Sequence, residues 1–148
     1  MTDSAAMTRL YRDAVLAHSQ APHNFGAMAS ADCQASATNA LCGDHFTVYL
    51  RLSRDPRRIV GTSFDGHGCA ISMASASLLT DLVHGMSEGE ALDTGRRFAA
   101  AMSGPGDSEV PEPLRPLTGV RDYPARIRCA LLPWAALERA LRPADESN

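Results

Sequence analysis

The sequence contains no apolar run approaching the roughly 20 residues that a membrane-spanning helix needs. Its first residues, MTDSAAMTRLYRD, lack the basic region followed by an apolar segment that marks a secretory leader. Acidic and basic side chains are mixed along the chain, the formal net charge is -3, and no basic stripe is present to bind a phosphate backbone. From these absences we expect a cytoplasmic protein that binds neither a membrane nor a nucleic acid.

Local cysteine pairs of the CxxC type are also missing. The four cysteines, Cys33, Cys42, Cys69 and Cys129, lie far apart in the sequence, so any shared site has to be assembled by the fold. In a reducing compartment they are better interpreted as thiols or metal ligands than as disulfides. No HExxH or His-x-Glu pattern occurs, which argues against a zinc hydrolase or deaminase.

The chain of 148 residues, 45% of them hydrophobic, is long enough for one domain with a real core. We expect a single domain over 1–148, with an ordered core at about 8–141 and a short C-terminal tail. Strict alternation predicts a strand over 45–52 with one solvated side, which pairs as a hairpin with a return strand over 58–64. A weak edge strand is expected near Cys33.

Apolar residues at helical spacing predict four helices, over 4–19, 70–84, 87–102 and 124–141, and a short helical turn within 111–117. Ser87 and Glu90 form the pattern of a capping box. Gly85 is a plausible stop for the second helix, and Pro124 suits the first position of the last one. Pro133 is expected to kink or interrupt that last helix.

A glycine-spaced turn brings one thiol to the start of a helix rich in small residues, in the stretch FDGHGCAISMASA over 64–76. Free backbone N–H groups and the positive end of the helix dipole favour the thiolate form of Cys69 at such a position. Gly66 and Gly68 permit close approaches that a β-carbon would forbid, so a metal-sized object could lie against the turn. A buried structural cysteine is the alternative for Cys69 taken alone.

The predicted hairpin places two cysteines at one end of the sheet. Cys42 and Asp44 begin its first strand, where positions i and i+2 point the same way, and Cys69 follows the end of its second strand. With Cys129 near the start of the last helix, three thiols and a carboxylate become candidates for one site, although the spacing does not prove that Cys129 joins it. Such a set suits zinc, or iron in an iron–sulfur cluster, and suits magnesium or calcium poorly.

Five motifs, in chain order, resemble the U-type iron–sulfur assembly proteins and, within them, the SufU branch. They are Leu10-Tyr11-Arg12, Ala21-Pro22-His23-Asn24, Cys42-Gly43-Asp44, the run from Gly66 to Ser77 and the run from Tyr123 to Ala130. The resemblance extends over about 8–141. It implies an α+β fold, the U-type iron–sulfur scaffold fold, in which a small antiparallel sheet of about three strands packs against several α-helices.

The resemblance also implies a site and a partner. Cys42, Asp44, Cys69 and Cys129 would bind one zinc ion, or a nascent cluster in scaffold members, and Cys42 would accept sulfur. The sulfur donor would be the persulfide of a pyridoxal-phosphate cysteine desulfurase of the SufS type. Downstream iron–sulfur assembly proteins would be further partners. The protein would then be a sulfurtransferase-like partner of the desulfurase and not a stand-alone enzyme.

Two features favour the SufU branch over IscU-type scaffolds. IscU-type members carry a histidine just before the third cysteine and a Leu-Pro-Pro-Val-Lys signal upstream, whereas here Arg128 precedes Cys129 and the segment reads YPARI. The long interval between Cys69 and Cys129 also resembles SufU. Zinc-dependent sulfur relay is therefore favoured, with scaffolding of a 2Fe–2S or 4Fe–4S cluster as the alternative and a purely structural zinc module as a third. The family's usual Asn-Pro-Thr before Cys42 is Asn-Ala-Leu here, which is expected to loosen that loop.

Several other residues are auxiliary candidates. Arg126 and Arg128 could steer docking or stabilise sulfur anions, with solvated surface charges as the alternative. His67 could act as a transient ligand or a proton carrier. Ordinary packing, surface or capping roles are expected for the remaining candidates: Cys33, His18, His23, His45, His84, Ser72, Ser75 and Ser77.

Overall fold

The computed structural model describes residues 4–54, 56–104 and 109–142. The elements in chain order are α1 (Ser4–Gln20), β1 (Cys33–Asn39), β2 (Asp44–Leu52), β3 (Ile59–His67), α2 (Ala70–Val83), α3 (Glu88–Ser103), a 3₁₀ segment (Glu112–Asp122) and α4 (Pro124–Leu141). The predicted α+β class is confirmed. None of the helices within the described ranges has both the length and the apolar character to span a bilayer. Residue 55, residues 105–108 and the predicted C-terminal tail from 143 lie outside the described residues.

The strands form one antiparallel sheet in the order β1-β2-β3, and this confirms the predicted hairpin. β3 continues three residues beyond Phe64, so that His67 pairs with His45 at the start of β2. β1 is also more regular than predicted, since it pairs with β2 along its whole length, from Cys33 opposite Leu50 to Asn39 opposite Asp44. The end of the sheet that carries Asp44 therefore lies beside the start of α2.

The prediction that β2 has one solvated side is wrong. Thr47 and Tyr49, on the face that should be solvated, are buried. β2 is the central strand, and its two neighbours supply polar partners on that face. The Thr47 hydroxyl lies 2.6 Å from the Ser36 hydroxyl on β1, and the Tyr49 hydroxyl donates to Asp65 on β3 at 3.0 Å. A sequence pattern cannot show that polar side chains will cover each other in this way.

The opposite face of the sheet carries the main core. Phe46, Val48 and Leu50 are fully buried there, and α4 packs against β1 and β2. α2 packs against α1 and α4 through small side chains, of which Ala74 and Ser75 are fully buried. Small residues allow these helices to approach closely, which brings the first turns of α2 and α4 towards the same end of the sheet.

The helix ends follow local sequence signals. The capping box at Ser87 and Glu90 is confirmed, and Gly85, with φ of +91°, follows α2 as predicted. Of the two expectations for Pro133, the interruption is wrong, because α4 continues through it to Leu141, and the kink stays a prediction. Pro133 is itself buried between Leu132 and Trp134, and this packing outweighs the hydrogen bond that proline cannot donate. The 3₁₀ segment is longer than the short turn predicted over 111–117.

Candidate metal centre

Three potential ligands from separate parts of the chain meet at the end of the sheet. The ligand atoms of Cys42, Asp44 and Cys129 all lie within 4.8 Å of one another. Asp44 and Cys129 are buried, and Cys42 is exposed. The fold therefore brings Cys129, whose position the spacing left open, to the two residues at the start of the hairpin.

A tight turn between β1 and β2 presents Cys42 to solvent. The backbone carbonyl of Asn39 accepts hydrogen bonds from the amides of Cys42 at 3.3 Å and Gly43 at 2.8 Å. Its side-chain Oδ1 accepts a further bond from the amide of Leu41 at 3.1 Å. Leu41, at the position of the family's usual threonine, is 83% exposed. Asn39 thus closes the turn without the proline that the family pattern usually supplies.

Cys69 is the N-cap residue of α2 and lies beside Cys129. Burial alone would raise the pKa of the Cys69 thiol, but hydrogen bonds from the amide and hydroxyl of Ser72 and from Cys129 lower it below its ordinary value. Burial, together with the hydrogen bond and negative charge of Cys69, raises the pKa of Cys129 to about 12. In the metal-free protein Cys69 is therefore the first of the two to become a thiolate, and Cys129 keeps its proton.

Ser72 contacts two of the candidate ligands, although the sequence predicted only a helix-packing role for it. Its hydroxyl donates to Asp44 Oδ2 at 3.0 Å and lies 3.6 Å from Cys69 Sγ. Both Ser72 and Asp44 are buried. The only sequence signal for this contact was the position of Ser72 three residues after Cys69, which places it in the first turn of α2 over the cysteine.

The two glycines before Cys69 do allow close approaches, but to the protein's own chain. At Gly66, whose φ is +130°, a β-carbon would collide with the His45 carbonyl oxygen. At Gly68 a β-carbon would overlap the Ser72 hydroxyl and lie 2.9 Å from Asp44 Cγ. Gly66 thus lets β3 lie tightly against β2, and Gly68 lets the chain after β3 pack against the Asp44 carboxylate on one side of the site.

The three auxiliary candidates lie in different surroundings. Arg126, one turn before Cys129 on α4, lies within hydrogen-bonding reach of the sulfurs of Cys69 and Cys129, and these interactions, above all with the negative charge of Cys69, raise the pKa of its guanidinium. Arg128 is exposed on the same helix. His67 is also exposed, and its ring centroid lies 6.3 Å from that of His45, its partner across the strands. Because side chains alternate along a strand, this histidine pair faces away from the side that carries Asp44.

A polar network at the end of α1 was missed from the sequence. His23 Nδ1 lies 2.5 Å from Asp81 Oδ2, and His18 Nδ1 lies 2.7 Å from the hydroxyl of Ser77. The side chain of Asn24, whose φ is +59°, donates to Asp81 Oδ1 at 3.0 Å. Each partner is more than 50 residues away in sequence, so local spacing could not reveal it. His23 lies at the surface as expected, but both histidines also connect α1 and the segment after it to α2, which the expected surface or capping roles did not include.

The donor set fits zinc or iron better than a hard cation. Thiolate sulfurs bind zinc and the iron of iron–sulfur clusters well, whereas magnesium and calcium prefer oxygen ligands. Cys42, Asp44 and Cys129 could hold such an ion together, whereas Cys69, the fourth predicted ligand, lies beside Cys129 but outside this group of three.

Comparison with known proteins places the chain in a family. Residues 10–142 match the family described as the NifU-like N terminal domain. The chain is 33% identical over 150 aligned residues to the zinc-dependent sulfurtransferase SufU of Bacillus subtilis, with all of both chains covered. It is 34% identical to the iron–sulfur cluster assembly scaffold protein IscU of Streptococcus pyogenes, over 92% of this chain and 85% of that one.

A solved structure gives the same assignment. The N-terminal part of a nitrogen-fixing NifU-like protein from Brucella abortus superposes with a TM-score of 0.80 at 27% identity, covering 96% of this chain and 99% of that one. The sequence match covers nearly the whole chain, and the fold agrees over the same region. This protein therefore belongs to the family of the NifU-like N-terminal domain.

Proposed function

We propose that this protein is a zinc-dependent sulfur acceptor in iron–sulfur cluster assembly, supplied by a cysteine desulfurase of the SufS type. The observation that carries the proposal is a cluster of thiols around a buried carboxylate in which Cys42 alone is exposed. The full-length likeness to a zinc-dependent sulfurtransferase supports it. The protein would work in the cytoplasm and pass sulfur to downstream assembly proteins.

Four residues would hold the zinc ion: Cys42, Asp44, Cys69 and Cys129. Bound zinc acts as a Lewis acid that keeps its cysteine ligands deprotonated. Asp44 is the one ligand that is not a thiolate, and a carboxylate is displaced from zinc more easily than a thiolate is. The set is therefore suited to exchanging a ligand, which a purely structural site does not need.

The surroundings of the three thiols favour Cys42 as the acceptor. Cys129 is only 3% exposed and keeps its proton in the metal-free protein. Cys69 is half-buried and engaged by Ser72 and Arg126. Cys42 lies in an exposed turn, where an incoming persulfide can reach its sulfur from solvent.

The transfer is a thiol–disulfide type exchange. The Cys42 thiolate attacks the outer sulfur of the desulfurase persulfide and forms a new S–S bond. The S–S bond of the donor breaks, and the desulfurase cysteine leaves as a thiolate. The outer sulfur keeps its proton and no external oxidant or reductant is needed. The positive charge of Arg126, already beside two sulfurs, would stabilise the desulfurase cysteine as it leaves as a thiolate.

The test measures alanine production by a SufS-type desulfurase with and without the zinc-loaded protein. We expect strong stimulation, loss of at least about 90% of it in Cys42→Ala because the transthiolation step is removed, and a persulfide on Cys42 by mass spectrometry. Cys33→Ala is the matched control and should stimulate like the wild type. Full stimulation by Cys42→Ala would contradict the proposal.

Cluster scaffolding is the second candidate, favoured by the likeness to an IscU scaffold protein at nearly the same identity. The same residues would then receive an iron–sulfur cluster as cargo. Anaerobic incubation with iron, cysteine and desulfurase distinguishes the two. A coloured cluster that survives gel filtration and is handed to an apo-acceptor would support scaffolding, whereas retained zinc without colour supports relay.

A further inference from the structure

We propose that Ser72 is a positioning residue for the metal centre: it holds one carboxylate oxygen of Asp44 and leaves the other to face the ion. The inference rests on the proposed function, because it concerns the same site. It adds a residue that is not itself a ligand and that sets how tightly the ion is held.

The contact is buried and direct. Ser72 is fully buried and Asp44 is 4% exposed, and the Ser72 hydroxyl donates to Asp44 Oδ2 at 3.0 Å. Among the residues that the structure describes, this is the one side-chain hydrogen bond shown for the carboxylate. A buried carboxylate needs such a partner, because its charge is costly to remove from water.

The hydroxyl has one proton and, besides Asp44 Oδ2, two further acceptors within reach. They are the carbonyl oxygen of Cys69, at 3.1 Å, and the Cys69 sulfur, at 3.6 Å. The carboxylate is charged and lies at 3.0 Å, whereas the carbonyl is neutral and the sulfur is farther away, so the strongest hydrogen bond goes to Asp44. Oδ2 accepts this hydrogen bond, and Oδ1, for which the described residues show no hydrogen bond, is then the less engaged oxygen and the one left to face a metal ion.

Gly68 encloses this pair from the other side. A β-carbon at that position would overlap the Ser72 hydroxyl, and it would lie 2.8 Å from Phe46 Cε2 and 2.9 Å from Asp44 Cγ. The backbone at Gly68 therefore packs closely against both the Ser72 hydroxyl and the Asp44 carboxylate, and no side chain could be added at this position without displacing them.

Hydrogen bonds to metal ligands orient the ligands and set their donor strength, and their loss typically weakens metal binding about 10-fold to 100-fold. We expect Ser72→Ala to weaken zinc binding by about 10-fold. A carboxylate free to rotate would also change the geometry around the ion. The visible spectrum of the cobalt-substituted protein should therefore shift.

Ser77→Ala is the matched control. Ser77 is a fully buried serine of the same helix, and its hydroxyl lies 2.7 Å from His18 Nδ1 and accepts from the His23 amide at 2.8 Å, contacts that involve none of the four candidate ligands. We expect this variant to lose thermal stability while its zinc dissociation constant and cobalt spectrum match those of the wild type. Dissociation constants are measured by competition with a chromogenic chelator.

A double-mutant cycle tests whether Ser72 acts through Asp44. We expect Asp44→Ala and the double variant Asp44→Ala/Ser72→Ala to bind zinc with equal affinity, because the hydroxyl then has no carboxylate to orient. If Ser72→Ala alone folds poorly, the double variant should recover the stability of Asp44→Ala, since both halves of the buried pair are gone. Failure to recover would overturn the proposal.

Other results also separate the hypotheses. Wild-type zinc affinity and an unchanged cobalt spectrum in Ser72→Ala would overturn the positioning role and leave the proposed function intact. An effect of Ser72→Ala that persists in the Asp44→Ala background would overturn it as well. A wild-type protein that binds no zinc would contradict the proposed function itself.

Discussion

At the scale of single residues, the two neighbouring cysteines differ in protonation: the thiolate form is favoured at Cys69 and the thiol form at Cys129. Ser72 and Cys129 stabilise the thiolate of Cys69, while burial and the adjacent negative charge keep Cys129 protonated, with a pKa of about 12. Binding of a metal ion by both sulfurs must release the Cys129 proton, so metal uptake should be favoured as pH rises. The pair is thus ready to bind an ion without carrying two thiolate charges in its absence.

Substitution of Arg126 should slow the alkylation of Cys69, and the same substitution of Arg128 on the same helix is the control. Arg126→Ala removes the positive charge beside Cys69, so the pKa of Cys69 rises and its alkylation at neutral pH slows by about threefold in the metal-free protein. Arg128→Ala, an exposed charge on the same helix, should leave the rate unchanged. Peptide mapping after timed alkylation measures both. Equal rates in the two variants would count against a role for Arg126 at the site.

Cys129 should be the slowest of the site's thiols to react. Only the thiolate is nucleophilic, and Cys129 is both 3% exposed and protonated up to a pKa of about 12. In the metal-free protein at pH 8 we expect its alkylation to be at least about 10-fold slower than that of Cys42. The same mapping checks this, and a Cys129 that reacts as fast as Cys42 would contradict the burial seen here.

At the scale of helices and strands, predictions that rest on neighbouring residues are confirmed. Predictions of burial and helix continuity are wrong where residues distant in the sequence determine them. The hairpin, α2 and the capping box at Ser87 and Glu90 depend on neighbouring residues and are confirmed. Burial of Thr47 depends on β1, and the continuity of α4 at Pro133 depends on packing that surrounds it. The same division holds at the site, where Cys42 and Asp44 could be paired by spacing, but the contact between Ser72 and Asp44, 28 residues apart, could not.

The capping box of α3 should make stability depend on pH in the acid range. Hydrogen bonds from Ser87, with a smaller contribution from Arg58, lower the pKa of Glu90 below its ordinary 4.5. The folded protein therefore gains stability from the ionised Glu90 above pH 4.5 and loses it as the pH falls through the lowered pKa. Ser87→Ala should lower the free energy of unfolding by about 1 kcal/mol at neutral pH.

Urea unfolding of the metal-free protein near neutral pH and below the pKa of Glu90 measures both effects. Glu90→Gln keeps a side-chain oxygen that can accept from the Ser87 amide but cannot titrate, so its stability should fall less on acidification. An acid dependence identical to that of the wild type would show that Glu90 does not contribute to it.

At the scale of the whole molecule, the four candidate ligands come from four different segments of the chain. Cys42 comes from the turn between β1 and β2, Asp44 from β2, Cys69 from the cap of α2 and Cys129 from α4. An ion bound by all four would tie the end of the sheet to both helices. Cys33 is at the opposite end of β1, about 20 Å from Asn39 at 3.3 Å per residue, and so provides an internal control.

Zinc should therefore stabilise the fold. Free zinc at 100 times its dissociation constant adds about 2.7 kcal/mol to the free energy of unfolding, which corresponds to a rise in Tm of about 5–10 °C in a domain of this size. Cys129→Ser should abolish most of that rise, and Cys33→Ser should keep it. Differential scanning calorimetry with and without zinc provides the measurement, and an equal rise in both variants would contradict a shared site.

The most direct test of the central claim, that four residues from separate segments hold one ion, is X-ray absorption at the zinc edge of the purified protein. We predict one zinc ion with three sulfur ligands at about 2.3 Å and one oxygen ligand at about 2.0 Å, and loss of that protein oxygen in Asp44→Ala. A first shell with fewer than three sulfurs, or one unchanged in Cys129→Ser, would contradict the account.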